Sequence, residues 1–199
     1  MGIIKILLRK RPIRSRRQPP VPAERTGAAV PIHSVRRKFL LHGIEYPVVL
    51  KTGARRNALV IKDRSFIVSL CPPTRENFAL FMENWYRRQA RKTFREAIDR
   101  WLPLFRAQGY EIPAPRLKIF SMRRAWGRCY YTKGLITMNL HLVKAPQVCI
   151  DYIVLHELCH FVVNSHSKEF YRLVGSFMPD WREADQFLKT FARERRIIE

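Results

Sequence analysis

The chain has 199 residues, 47% of them hydrophobic and 12% aromatic, with 38 Lys+Arg against 16 Asp+Glu and a formal net charge of +22. That is the size of one domain, with enough apolar material for a core, which excludes a wholly disordered chain. No apolar run reaches the roughly 18 residues a membrane helix needs, and so large a basic surplus implies an anionic partner: nucleic acid, nucleotide phosphate or an anionic membrane surface.

The charge is unevenly placed: residues 1–38 carry +10, residues 39–144 carry +13 and residues 145–199 carry −1. Residues 1–34 are rich in Arg and Pro and have little periodicity, so a flexible basic arm is predicted there, with a domain over 35–199. The opening apolar stretch (Ile3, Ile4, Ile6, Leu7, Leu8) is short and runs into arginines. Cys71, Cys129, Cys149 and Cys159 form no C-x-x-C pair, and no convincing secretory signal is present. Free thiols and a cytoplasmic location are the expectation.

Two hairpins come first. Val35–His42 and Glu45–Lys51 flank a turn at His42-Gly43-Ile44, and Ala58–Lys62 and Ser65–Leu70 flank Asp63-Arg64. Pro72-Pro73 ends this β region, and Thr74 is placed to cap a helix with Glu76 in its first turn. Phe78, Phe81, Trp85, Phe94, Ile98, Trp101 and Phe105 recur at helical spacing as far as Gly109. This predicts one long helix, or two with a kink near Arg87–Arg91, its aromatic stripe packed in the core. Arg87, Arg88, Arg91, Lys92 and Arg95 fall within about 140° of arc, a basic stripe suited to a solvated face or to an anion.

A second β section is predicted over Arg116–Met122, Trp126–Tyr131 and Leu135–Leu142, with a turn at Thr132-Lys133-Gly134. Pro146 suits the first position of a helix reaching about Val163. A shorter helix opens at His166-Ser167, Pro179-Asp180 breaks it, and a terminal helix runs to about Arg195.

The helix after Pro146 contains H-E-x-x-H as His156, Glu157 and His160. Residues four apart share a helix face, so both imidazoles can serve one metal ion. Glu157 is offset by one residue and can reach the water such an ion polarises, as a general base does in zinc hydrolysis. His166 follows a helix break at Asn164-Ser165 and can fold back as a third ligand. A catalytic zinc takes three protein ligands and keeps one position open, and three imidazoles suit zinc well.

The HELCH…NSH-S-K-E-F segment resembles the YgjP-like metallopeptidase-type proteins, distant relatives of the SprT-like and WLM zinc peptidases. AWGRC (Ala125–Cys129), KGLITMNLHLVKAP (Lys133–Pro146), IDYIVLHELCH and the tail near MPDWREA are similar to linked blocks of that family, in order. The resemblance covers roughly residues 35–195. One departure stands out: the family block usually reads R-W-G-S-C, and here Ala125 and Arg128 replace its Arg and Ser.

The resemblance implies a small α+β, zincin-like domain with an antiparallel sheet, a long helix and the H-E-x-x-H helix at the cleft floor. It implies one Zn²⁺ held by His156, His160 and His166, with Glu157 as catalytic base. It further implies that the strand Leu135–Leu142 runs along the cleft as an edge on which an extended peptide pairs. Period-2 alternation would then turn Thr137, Asn139 and His141 to one face, making Asn139 and His141 candidate cleft residues. Trp126, Arg124 and Arg128 are candidate substrate contacts, the arginines through charge-assisted bonds to phosphate. Cys129 is a weaker candidate from the same block, and Cys159 reads as a small buried side chain.

Two substrate classes stay open for such a metal-dependent hydrolase. One is the peptide bond. The other is a nucleoside triphosphate, since the family name is attached to a bacterial protein described as a UTP pyrophosphatase. A nucleic-acid-associated protease of SprT-like type is a third reading, carried by the arm and the Arg87–Arg95 stripe.

Overall fold

A computed structural model describes residues 38–51 and 53–195. The arm expected over 1–34 lies outside them. Two hairpins open the described chain: β1 (Lys38–Leu41) with β2 (Ile44–Lys51), and β3 (Ala58–Lys62) with β4 (Ser65–Ser69). Each turns on two residues with positive φ, His42 (49°) and Gly43 (81°) in the first, Asp63 (48°) and Arg64 (53°) in the second. Such left-handed pairs match the twist of the strands they join.

The four strands make one sheet in the order β1-β2-β4-β3. β2 and β4 pair in parallel, Val48 opposite Phe66 through Lys51 opposite Ser69. Alternation along β4 sends Phe66 and Val68 inward, both fully buried. Tyr46 stacks on Phe66 at 4.7 Å between ring centroids, and Trp85 of the following helix meets Phe66 edge-on at 5.0 Å.

That helix, α1 (Arg75–Ala107), is one continuous element of 33 residues. Thr74 caps it by accepting from the Asn77 N–H at 3.1 Å. Gly109 stops it at φ +83°, and the Tyr110 N–H returns to the Phe105 carbonyl. Phe78, Met82, Trp85, Phe94, Ile98 and Phe105 bury its apolar face, each worth on the order of 1.5–3 kcal/mol of transfer free energy.

The second sheet holds β5 (Arg116–Phe120), β6 (Gly127–Tyr130) and β7 (Leu135–Asn139) in the order β5-β7-β6. β7 is parallel to β5 and antiparallel to β6. Both sheets are therefore mixed, a correction to the antiparallel sheet expected from sequence. Each parallel pair joins strands separated by another strand in the chain, and local periodicity is blind to such pairing. A second correction concerns β7, which ends at Asn139. A 3-10 turn over Leu140–Lys144 replaces the rest of the expected strand.

Three helices complete an α+β fold: α2 (Gln147–Cys159), α3 (Lys168–Phe177) and α4 (Trp181–Arg195). Pro146 is the N-cap of α2 rather than its first residue, and the helix ends four residues before the expected Val163. α2 is apolar nearly all round because α1, α3, α4 and β6 surround it. The first hairpin reaches across to its start: the N–H groups of His42 and Gly43 donate to the carbonyls of Val143 and Lys144, at 3.0 and 2.9 Å. A Cβ on Gly43 would meet Pro146 Cγ at 2.7 Å, so this turn tolerates only glycine. Among the described residues, no helix is long and apolar enough to cross a membrane.

Candidate metal centre

α2 carries His156 and Glu157, and His160 caps its C-terminus with helical dihedrals (φ −67°, ψ −13°). Helical spacing therefore persists to His160, and the His156 and His160 ring centroids lie 5.0 Å apart. The chain then turns through Phe161–Val163, whose N–H groups bond back to Leu158 and Cys159. Ser167 caps α3 by accepting from the Phe170 N–H. This break and restart bring His166 to His156, with 2.8 Å between their Nε2 atoms. One nitrogen from each of His156, His160 and His166 lies within 4.8 Å of the others.

Phe170 is the floor of this cluster. It is fully buried, and its ring centroid lies 4.8, 4.5 and 4.9 Å from those of His156, His160 and His166. Burial holds the imidazoles neutral: His156 is pushed down to about 3, and the neighbouring imidazoles add to the shift. His160 is pushed down to about 4 by the same burial. A neutral imidazole keeps the lone pair a metal requires.

The His160 Nδ1 lies 3.2 Å from the Val163 carbonyl, which accepts only from N–H; this puts the proton on Nδ1 and leaves Nε2 for a ligand. Nδ1 of His156 is buried with no hydrogen-bond partner. A neutral, convergent, nitrogen-only donor set of this kind fits a borderline-soft divalent ion.

Glu157, about 100° around the helix from His156, is buried at 5% exposure beneath β6. Burial raises its pKa to about 8, against the opposing effects of a backbone hydrogen bond from Cys129 and the charge of Arg128. β6 lies so close that a Cβ on Gly127 would stand 2.4 Å from Glu157 Oε1. Gly127 and Phe170 are therefore parts of the site that the motif reading did not single out. A glycine inside a strand pattern is a signal of close backbone approach and could have found the first. Phe170 carries no signal beyond an apolar residue in SHSKEF.

The remaining candidates divide. Asn139 is fully buried and lines no cleft. Its Nδ2 donates to the carbonyls of Met122 and Ala125, both at 2.8 Å, and its Oδ1 accepts from the His141 N–H at 3.1 Å. It thus shapes the loop leading into β6. His141 sits on the 3-10 turn, with Nε2 3.0 Å from Ser121 Oγ and Nδ1 3.0 Å from Lys144 Nζ. The expectation fails for His141 because the strand ends before it, and for Asn139 because its side chain is buried against the Met122–Ala125 loop.

Trp126 is almost buried, at 9% exposure, and its carbonyl accepts from the Asn139 N–H. Arg124 and Arg128 are exposed on the segment entering and forming β6. Cys129 is half-buried and pushed up to about 12 by burial and by Glu157. All four cysteines are free, with Cys149 and Cys159 buried.

The strand expected to be an edge is not one. β7 is central and paired on both sides, so it offers no edge to a peptide. Among the described residues β6 pairs with β7 alone, and it is the strand lying over Glu157.

Two histidines at helical spacing, a third brought to them by the turn after α2, and a buried carboxyl under the edge strand β6 make up a candidate metal site. Over residues 16–191 the chain matches the family described as YgjP-like, metallopeptidase domain, and it belongs to that family. No curated protein matches it. Membership of a metallopeptidase-type family implies a metal, and the three histidines are the residues that fit one.

Proposed function

We propose that this protein is a zinc-dependent hydrolase with a zincin-like arrangement, and that its substrate is a peptide bond. His156, His160 and His166 would hold one Zn²⁺, and Glu157 would act as general base. Bound there, zinc supplies a Lewis acid and lowers the pKa of a coordinated water to roughly 7.

The observation that carries the reading is the convergence of three imidazoles on α2 and the turn after it, with Glu157, next to His156 in the sequence, held between α2 and the edge strand β6. Burial raises the affinity of the Glu157 carboxylate for a proton, the direction wanted in a group that takes a proton and returns it to a leaving group. The Cys129 N–H holds the carboxylate in place, and Arg128 opposes its protonation. β6 lies at the edge of its sheet among the described residues, where an extended chain could add as a further strand. Phe170 keeps the cluster dry on its far side.

The nucleoside triphosphate reading keeps one observation in its favour. Arg124 and Arg128 are exposed at the same edge, where they suit phosphate oxygens. Incubation of zinc-loaded protein with unfolded protein and, separately, with nucleoside triphosphates separates the two. New peptides are expected, and Glu157→Gln should abolish them while metal is retained. Pyrophosphate release without peptides would move the site to the nucleotide branch, and unchanged activity in Glu157→Gln would remove the mechanism.

A further inference from the structure

The outward face of the β5-β7-β6 sheet is the one large charged surface that the metal site does not use. Register fixes what it shows. Lys118, Thr137 and Arg128 lie in one row across the three strands, and Arg116, Leu135 and Tyr130 in the next; Thr137 itself is buried at 7% exposure, so the surface is made by the two outer strands. Phe120 is two residues beyond Lys118 on the same side of β5. Alternation sends the intervening residues of β7, Ile136 and Met138, into the core. The outward side chains of β5 and β6 are exposed, with Phe120 at 56% and Tyr130 at 41%.

Charge on this surface has one sign. No Asp or Glu occurs between Glu111 and Asp151, a stretch that holds all three strands. The basic stripe of α1 adjoins it, because Arg87 and Arg95 donate to the carbonyls of Ile119 and Pro115 along β5. Arg88, Arg91 and Lys92 remain exposed on that helix. Only Glu83 and Glu96 interrupt the stripe, ion-paired with Arg87 at 2.8 Å and Lys92 at 3.9 Å.

We infer that this face is a binding platform for single-stranded nucleic acid, with Phe120 and Tyr130 stacking on bases and Arg116 and Lys118 meeting phosphates. Exposed aromatic rings among basic side chains on the two outer strands of the sheet suit bases whose faces are free. A duplex hides those faces in its own stack and would gain only the electrostatic part. Rows across the sheet are about 4.8 Å apart from strand to strand, and alternate residues along a strand about 6.7 Å apart, so rings and charges interleave within one nucleotide's reach. The platform is independent of the hydrolase reading, since its residues are neither metal ligands nor the base.

The test uses the full chain and labelled oligonucleotides of one sequence: single-stranded DNA, single-stranded RNA and the DNA duplex. Either single strand should bind more tightly than the duplex, the RNA and DNA arms deciding the sugar. Phe120→Ala and Tyr130→Ala should each weaken single-strand binding by about tenfold without changing its salt dependence. Lys118→Ala should reduce the slope of log affinity against log salt by about one. Phe120→Trp should restore binding, which separates stacking from any loss of fold, and Glu157→Gln should bind as the parent does. No binding at low salt, equal affinity for duplex, or indifference to Phe120→Ala and Tyr130→Ala would each overturn the inference.

Discussion

Gly127 of β6 stands so close to Glu157 of α2 that a single methyl group on it would fall 2.4 Å from the carboxylate Oε1. The nearest atoms are all on the Glu157 side chain, which is buried and has little room to yield. Gly127→Ala should therefore push the edge strand and the carboxylate apart. A stability loss of about 1–3 kcal/mol is expected from overpacking, read by urea denaturation. Hydrolytic activity should fall by about 100-fold, since misplacement by an ångström is costly. Full activity in Gly127→Ala would show that the contact does not position Glu157.

Metal binding should depend on all three histidines. Purification with zinc present should give one zinc per chain, and His166→Ala should lose it or weaken it by about 100-fold in chelator competition. Because a ligand that binds only the folded state adds stability, chelation should lower the denaturation midpoint, by about 2.7 kcal/mol where free zinc had been at 100 times its dissociation constant. Retention of stoichiometric zinc by His166→Ala would exclude that residue as a ligand.

Acid should destabilise the metal-free protein through its buried histidines. His156, His160 and His42 all have folded pKa values below 6.5, each chiefly through burial. Below pH 6.5 the unfolded chain takes up protons that the folded chain refuses, so stability falls as pH falls toward about 3. Glu157 works in the opposite sense. Raised from 4.5 to about 8, it binds its proton more tightly when folded. Its share of stability is whole below pH 4.5 and is lost as pH rises toward 8. In chelator, Glu157→Gln should gain on the parent across pH 4.5–8, by on the order of a few kcal/mol, and then run parallel to it. A constant difference across that window would contradict the raised pKa.

Asn139→Ala should cost about 1–3 kcal/mol, because it leaves the part-buried carbonyls of Met122 and Ala125 without this donor. Thermal or urea denaturation reads this directly. A change under 0.5 kcal/mol, the range typical of surface substitutions, would show that the loop finds other donors.

How legible these features were depends on the range of the interactions that make them. α1 could be read almost to its ends, because Thr74, the aromatic repeat and Gly109 are local signals that agree. The two first turns were legible for the same reason. The histidine cluster could be anticipated because helix spacing fixes His156 and His160, and only one short turn separates His166 from them. The path of β7 was not legible. Alternation describes a strand but does not say where it stops, and Asn139 ends this one by bonding two carbonyls far back in the chain. Nor does alternation say which strand is central: the resemblance implied an edge at β7, and β7 lies between β5 and β6. Parallel pairing of β2 with β4 and β5 with β7 rests on contacts that no local window contains.

The clasp of the first hairpin on the start of α2 bears on how this chain could be divided. His42 and Gly43 bind the carbonyls just before Pro146, more than 100 residues downstream. A cut in the connection between β2 and β3 would separate β1 and β2 from the segment they brace, and would also break the parallel seam with β4. Neither fragment would keep a complete set of partners. The two pieces would regain the fold only by associating, so the small first sheet is a buttress of the histidine-bearing helix and not a module that could be exchanged on its own.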